Sequence, residues 1–170
     1  MTNKTNRRRG SALLEMTLVG IPLIFVLIST IEMARGMWIY HTLAYAVREG
    51  TRYTIVHGVN CGVSPNSCTL TVGQIATKIK NAAVGLYDTD NFQITMTSLS
   101  DTIGPITLTS ALSNTTQFPS SGGDAVQAPI TFTATYPFQS VIAMFWPGAG
   151  KGMQFDTFTL PASSQEAIQF

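Results

Sequence analysis

Charge is the component this chain has least of. Asp, Glu, Lys and Arg together make up 11% of its 170 residues, against roughly 25% in an average soluble protein. Thr and Ser fill the gap with 23 and 13 residues. What charge there is lies unevenly: Lys4, Arg7, Arg8 and Arg9 put +4 in the first ten residues and leave −3 for the rest. Positive charge held in a terminal tag, with no basic face, excludes nucleic acid as the expected partner. Histidine and cysteine number two each, too few for most metal sites, and His41 and His57 would stand about 24 Å apart along one helix. G-x-S-x-G, P-loop, H-E-x-x-H and C-x-x-C patterns are all missing. No catalytic residue, cofactor, resident metal or small-molecule substrate is therefore expected, and the chain reads as a non-enzyme. Asp88 and Asp90, in Asp88-Thr89-Asp90-Asn91, read as a polar turn, with a calcium site as the minor alternative.

Against that background the amino terminus stands out. Residues 1–10 are polar and basic, and residues 11–31 carry a single charge, Glu15. Twenty-one residues make a helix of about 31 Å, the thickness of a bilayer's hydrocarbon core. The strictly uncharged part, residues 16–31, is marginal between a membrane span and the core of a secretory signal. Three features favour a retained span: Glu32 spoils the nearest small-x-small cleavage pattern at Ala34, the helical pattern runs on, and Glu15 opens the apolar segment. The positive-inside rule sets Lys4 and Arg7–Arg9 against Arg35, Arg48 and Arg52. Four against three points to a cytoplasmic N-terminus, and the cysteines break this near tie.

Past the span, Met33, Met37, Tyr40, Ala44, Val47, Thr51 and Ile55 recur at spacings of three and four, the stripe of an amphipathic helix. One helix over residues 11–57 is expected, kinked or loosened at Pro22, with that stripe packing on a head. Gly50 would cost about 1 kcal/mol relative to Ala in a helix interior, so it reads as a point of close approach to the head's sheet or to another helix.

Cys61 and Cys68 flank a short stretch containing Ser64-Pro65-Asn66. In the cytosol they would be unrelated thiols; beyond a membrane helix, a disulfide closing a small surface loop is preferred, and with it an extracytoplasmic head. A second helix is expected over residues 71–86, capped by Thr71 and weakened at Gly85. Period-two alternation follows at Phe92, Ile94 and Met96, and again over residues 126–136. Residues 106–112 are a weaker strand candidate, and residues 155–160 a last strand. Residues 141–146 are apolar, either a packed helix or a surface for a partner. The expected class is α+β: a long N-terminal helix, transmembrane then amphipathic, carrying a small head with a second helix and an antiparallel sheet.

Gly10-Ser11-Ala12-Leu13-Leu14-Glu15, after three arginines and before an apolar helix, resembles the leader junction of the type IV pilin superfamily. Added to it are Ile21-Pro22-Leu23, Ile31-Glu32-Met33-Ala34-Arg35 and Ala46-Val47-Arg48-Glu49-Gly50-Thr51-Arg52-Tyr53. Together these resemble the TadE-like pseudopilins of the tight adherence (Tad, or Flp) pilus system. Ser11 stands where the main pilin branch has Phe or Met. The resemblance covers about residues 7–57 and implies cleavage between Gly10 and Ser11 by a prepilin peptidase, with Glu15 acting in subunit assembly. It implies as partners other pilins or pseudopilins, the pilus assembly machinery and the inner membrane. It further implies a minor pilin at work in adhesion and surface colonisation, with the head in the periplasm and passage to the pilus or cell surface after assembly. The expected division is a leader at 1–10, the long helix at 11–57 with its membrane half at 11–31, a Cys-flanked loop at 58–70, and the head at 71–170. The alternative is a permanently anchored periplasmic or surface binding domain that never enters a pilus.

Overall fold

A computed structural model describes residues 6–58, 60–61, 68–140 and 158–169, with side chains from residue 11 onward. Its first element, α1, is a single helix over Asn6–Ile55 that passes through Pro22 without a break. Membrane helices tolerate an interior proline where the freed backbone groups find other partners. The hydroxyls in the apolar half bond to their own helix: Thr17 donates to the Leu14 carbonyl, Ser29 to Phe25 and Thr30 to Val26, at 2.7–3.0 Å. Such bonds let a polar side chain sit in an apolar setting.

The head follows as α2 (Val72–Ala82), β1 (Gln93–Thr97), β2 (Thr102–Thr107), α3 (Leu108–Leu112), β3 (Pro129–Phe138) and β4 (Phe158–Ala167). Thr71 opens α2 with a reciprocal cap: its hydroxyl accepts from the Gln74 amide, and the Gln74 side-chain oxygen accepts from the Thr71 amide. The helix stops at Ala82, four residues short of expectation. Ala83 caps it, and Gly85 takes φ +91°, a left-handed turn that reverses the chain toward the sheet.

The strands form one antiparallel sheet in the order β2-β1-β3-β4. In β3, Ile130, Phe132, Ala134, Tyr136 and Phe138 point into the core while Thr131, Thr133 and Thr135 lie half-exposed on the other face. Three strand expectations need correction. Residues 106–112 are not one strand: β2 ends at Thr107, whose hydroxyl accepts from the Ser110 amide and starts the single turn α3, burying Leu108 and Ala111. The strand expected from Val126 begins only at Pro129, because Gln127 adopts φ +68° in a turn that leaves Val126 exposed. The last strand runs on to Ala167, with Pro161 opposite Thr135. Proline is allowed there because β4 is an edge. Residues 141–157, which include the apolar stretch 141–146 and the start of the expected last strand, lie outside the described residues.

The sheet and α2 lie along the distal half of α1. Ile55 accepts from the Gln169 amide just past the end of β4, whereas Gly36 approaches the Phe138 ring at the far end of β3. Twenty helical residues and ten strand residues each span about 30–34 Å, so β3 runs antiparallel to α1 along that whole half. Between them lies a core of Val47, Ile75, Ile79, Phe92, Phe118 and Phe132, all with no exposed surface.

Gly50 stands where α1 and α2 touch. A β-carbon there would meet Ile79 Cγ1 at 2.6 Å and Phe132 Cδ2 at 3.4 Å. Gly50→Leu is expected to overpack this contact and destabilise the head by about 1–3 kcal/mol, read as a lowered midpoint in denaturant unfolding of detergent-solubilised protein. An unchanged midpoint would show that α2 can back away from α1.

Candidate functional site

With no clustered chemistry to follow, the candidate site is α1 itself and its seam with the head. Among the described residues, no three His, Cys, Asp or Glu side chains converge as a metal site would require. Asp88 is taken up by its own turn, accepting from the Asn91 amide and side chain, and Asp90 accepts from the Thr109 hydroxyl.

Three zones follow one another along α1. Over residues 11–31 the helix stands clear of the head and is exposed almost throughout, with Leu13, Leu14, Leu18, Leu23, Phe25 and Ile31 all open. It is long and apolar enough to cross a membrane and fits a single-pass membrane protein. Ser11 and Glu15 lie exposed at its start, and Pro22 in its middle. Gly10 belongs to the same helix, though the surroundings of its neighbours Asn6 to Arg9 lie outside the described side chains.

The distal zone is the seam. Leu43, Ala46, Val47, Gly50, Thr51, Thr54 and Ile55 are buried against α2, β3 and β4, with Ala44 partly buried beside them. The two buried threonines donate to Val47 and Gly50 carbonyls at 3.0 Å, so neither hydroxyl is stranded. Arg48 and Arg52 point outward.

Between the two, the expected stripe fails. Met33, Met37 and Tyr40 are 71%, 57% and 45% exposed. The stripe is centred about 100° around the axis from the series that packs, at 100° per residue. Near Ile55 the head wraps a wide arc and still covers Thr51; near Met37 it covers a narrow one. The packed face follows a second series at three and four spacing, through Gly36, Ile39, Leu43, Ala46, Gly50 and Thr54. Its small residues were the available signal, since close packing against a second element selects Gly, Ala and Thr. At the foot of this face Arg35 joins helix to head. It pairs with Glu32 at 3.6 Å, donates to the Gln139 carbonyl, and stacks over the Phe138 ring at 4.8 Å.

Residues 10–52 match the family model described as TadE-like protein. No curated protein and no solved structure gives a significant match. The TadE-like stretch opens at Gly10, takes in the exposed apolar half and the Glu32–Arg35 pair, and ends within the seam at Arg52. The likeness is to this stretch of α1, 43 of the chain's 170 residues. The head beyond Arg52 lies outside the match, so its surfaces are read from geometry alone.

Beyond α1, Cys61 and Cys68 form a disulfide with Cα atoms 5.5 Å apart. The bond lies shortly past the end of α1 at Ile55, and Cys61 is buried. Replacing both by Ser is expected to lower stability by about 2–3 kcal/mol, the loop-closure entropy of so short a ring. Denaturant unfolding measures the loss, and peptide mapping without reductant recovers the linked pair. Two free thiols in protein isolated from membranes would contradict the bond.

Proposed function

We propose that the chain is a minor pilin or pseudopilin of a Tad-type pilus, a structural subunit whose head is carried on a membrane helix. The observation that carries this reading is the TadE-like match beginning at Gly10, at the head of an exposed apolar helix continuous with the head's core. In this reading a prepilin peptidase cuts after Gly10, leaving Ser11 as the new amino terminus and removing the basic tag. The N-terminus lies in the cytoplasm, α1 crosses the inner membrane over residues 11–31, and the head folds in the periplasm, where Cys61 and Cys68 can be oxidised. Other pilins and the assembly machinery are its partners, and pilus assembly, adhesion and surface colonisation its setting.

Glu15 has a physical part in this scheme. A carboxylate held at mid-membrane costs about 2.5–3.5 kcal/mol, less near the interface. A neighbouring subunit's new amine offsets that cost and so sets the axial register between subunits. Were Glu15 only complementing the dipole of its own first turn, it would contribute about 0.3–1 kcal/mol.

N-terminal determination on membrane-isolated protein tests the scheme. A mature chain starting at Ser11 is expected, and an intact Met1 end would contradict processing and favour a permanently anchored binding domain. Gly10→Val is expected to leave the full-length precursor in the membrane. Glu15→Val is expected to be cut and inserted normally yet recovered poorly with sheared pili or the assembly complex. Recovery at the wild-type level would remove Glu15 from subunit assembly.

A further inference from the structure

The zone of α1 between the span and the seam is turned inside out. On a helix in water, charges face solvent and apolar groups face protein, as Arg48, Arg52 and Val47 do here. Over residues 32–40 the order reverses. Glu32 is only 12% exposed and Arg35 leans on the head, while Met33, Met37, Trp38 and Tyr40 face outward. Two further parts of the head bring apolar or amphipathic groups to the same level. A β-carbon on Gly85, in the turn after α2, would lie 3.6 Å from the Trp38 indole nitrogen, and Val84 and Tyr87 beside it are exposed. Phe158 opens β4 opposite Phe138, their rings 4.9 Å apart, and is itself half-exposed. A shallow, nearly wholly apolar groove between Trp38, Tyr45 and Val84 completes this base.

The axial arithmetic says what covers it. With Glu15 held at the interface, the core begins at Met16 and the span of residues 11–31 shifts about one turn toward the head: Met16 to Ile31 is about 24 Å of helix, one turn short of a 30 Å hydrocarbon core. The next turn, through Arg35, has to complete the span, and its two charges are the ones held against the head. Trp38 and Tyr40 then fall about 4–8 Å beyond the hydrocarbon edge, in the headgroup layer where amphipathic rings concentrate. We infer that the base of the head is a membrane-contact surface: Trp38 and Tyr40, together with Val84, Tyr87 and Phe158, sit in the headgroup layer of the bilayer that α1 crosses. The occupant is the lipid surface, because among the described residues the patch continues the exposed apolar half of α1, through Met33, Met37, Trp38 and Tyr40, at the level where that half ends. The inference rests on the reading of α1 as a membrane span. It adds that the head is seated on the bilayer and does not stand off on a bare stalk.

Tryptophan quenching in vesicles tests it. The full chain carrying Trp146→Phe, which leaves Trp38 as the single tryptophan, is reconstituted into phosphatidylcholine–phosphatidylglycerol vesicles with spin-labelled lipids. A second chain carrying Phe25→Trp, Trp38→Phe and Trp146→Phe reports on the span itself. The expected result is deep-label quenching of the reporter at position 25. Trp38 is expected to lose about half its emission to headgroup and shallow acyl labels and little to aqueous iodide, as for an interfacial ring. Quenching of Trp38 by iodide, with position 25 still deep, would overturn the inference and leave the span intact. A Trp38 reached by neither quencher would mean that protein covers the patch, a second copy in the purified system, and would equally overturn it. A position 25 untouched by deep labels would overturn the membrane reading, and the inference with it.

Discussion

One uninterrupted helix has to satisfy two different surroundings, and the rest of the structure follows from how it does so. Over its first half α1 offers side chains that have no protein to pack on. Over its second half it offers the small and branched residues of a core. No loop separates the two, so the head cannot choose its own orientation: β3, β4 and α2 have to lie along whatever length of α1 carries buried side chains. The contact of Gly50 with Ile79 fixes how closely α2 approaches, and the Arg35–Phe138 stack fixes where the sheet ends. Between those two points the register of the head on the helix is determined. The TadE-like match covers this helix and ends within the seam, which suits an element that couples a membrane segment to a head of its own.

How much of this was legible in the sequence depended on whether the signal was local. The apolar run, the Thr71 cap, the alternation through β3 and the paired cysteines each sit within a few residues, and the structure agrees with them. β4 was half hidden: the expected strand ended at residue 160, and Pro161, Ser163 and Ser164 continue it through pairing with β3, which sequence periodicity does not record. The single turn α3 was hidden by the same threonine-rich alternation that marks the strands around it. On α1 the expected stripe packs at its far end, through Val47, Thr51 and Ile55, and not at its near end. Over residues 33–40 a second series at three and four spacing, through Gly36 and Ile39, turns to the head, while Met33, Met37 and Tyr40 face outward. The aromatic base of the head was not legible at all, because Trp38, Tyr87 and Phe158 come from three elements that only the fold brings to one level.

The antiparallel lie of α2 and β3 along α1 also sets how the molecule responds to force. A tension applied along α1 runs parallel to the seam and loads it in shear. The contacts from Gly36 to Ile55 then have to give way together, not one after another. Tension applied across the axis at the base would instead peel the head away from Arg35 upward, opening the contacts in sequence. A pull along the helix's own length meets the strong direction of this joint, and the head travels with it as cargo fixed to the rod.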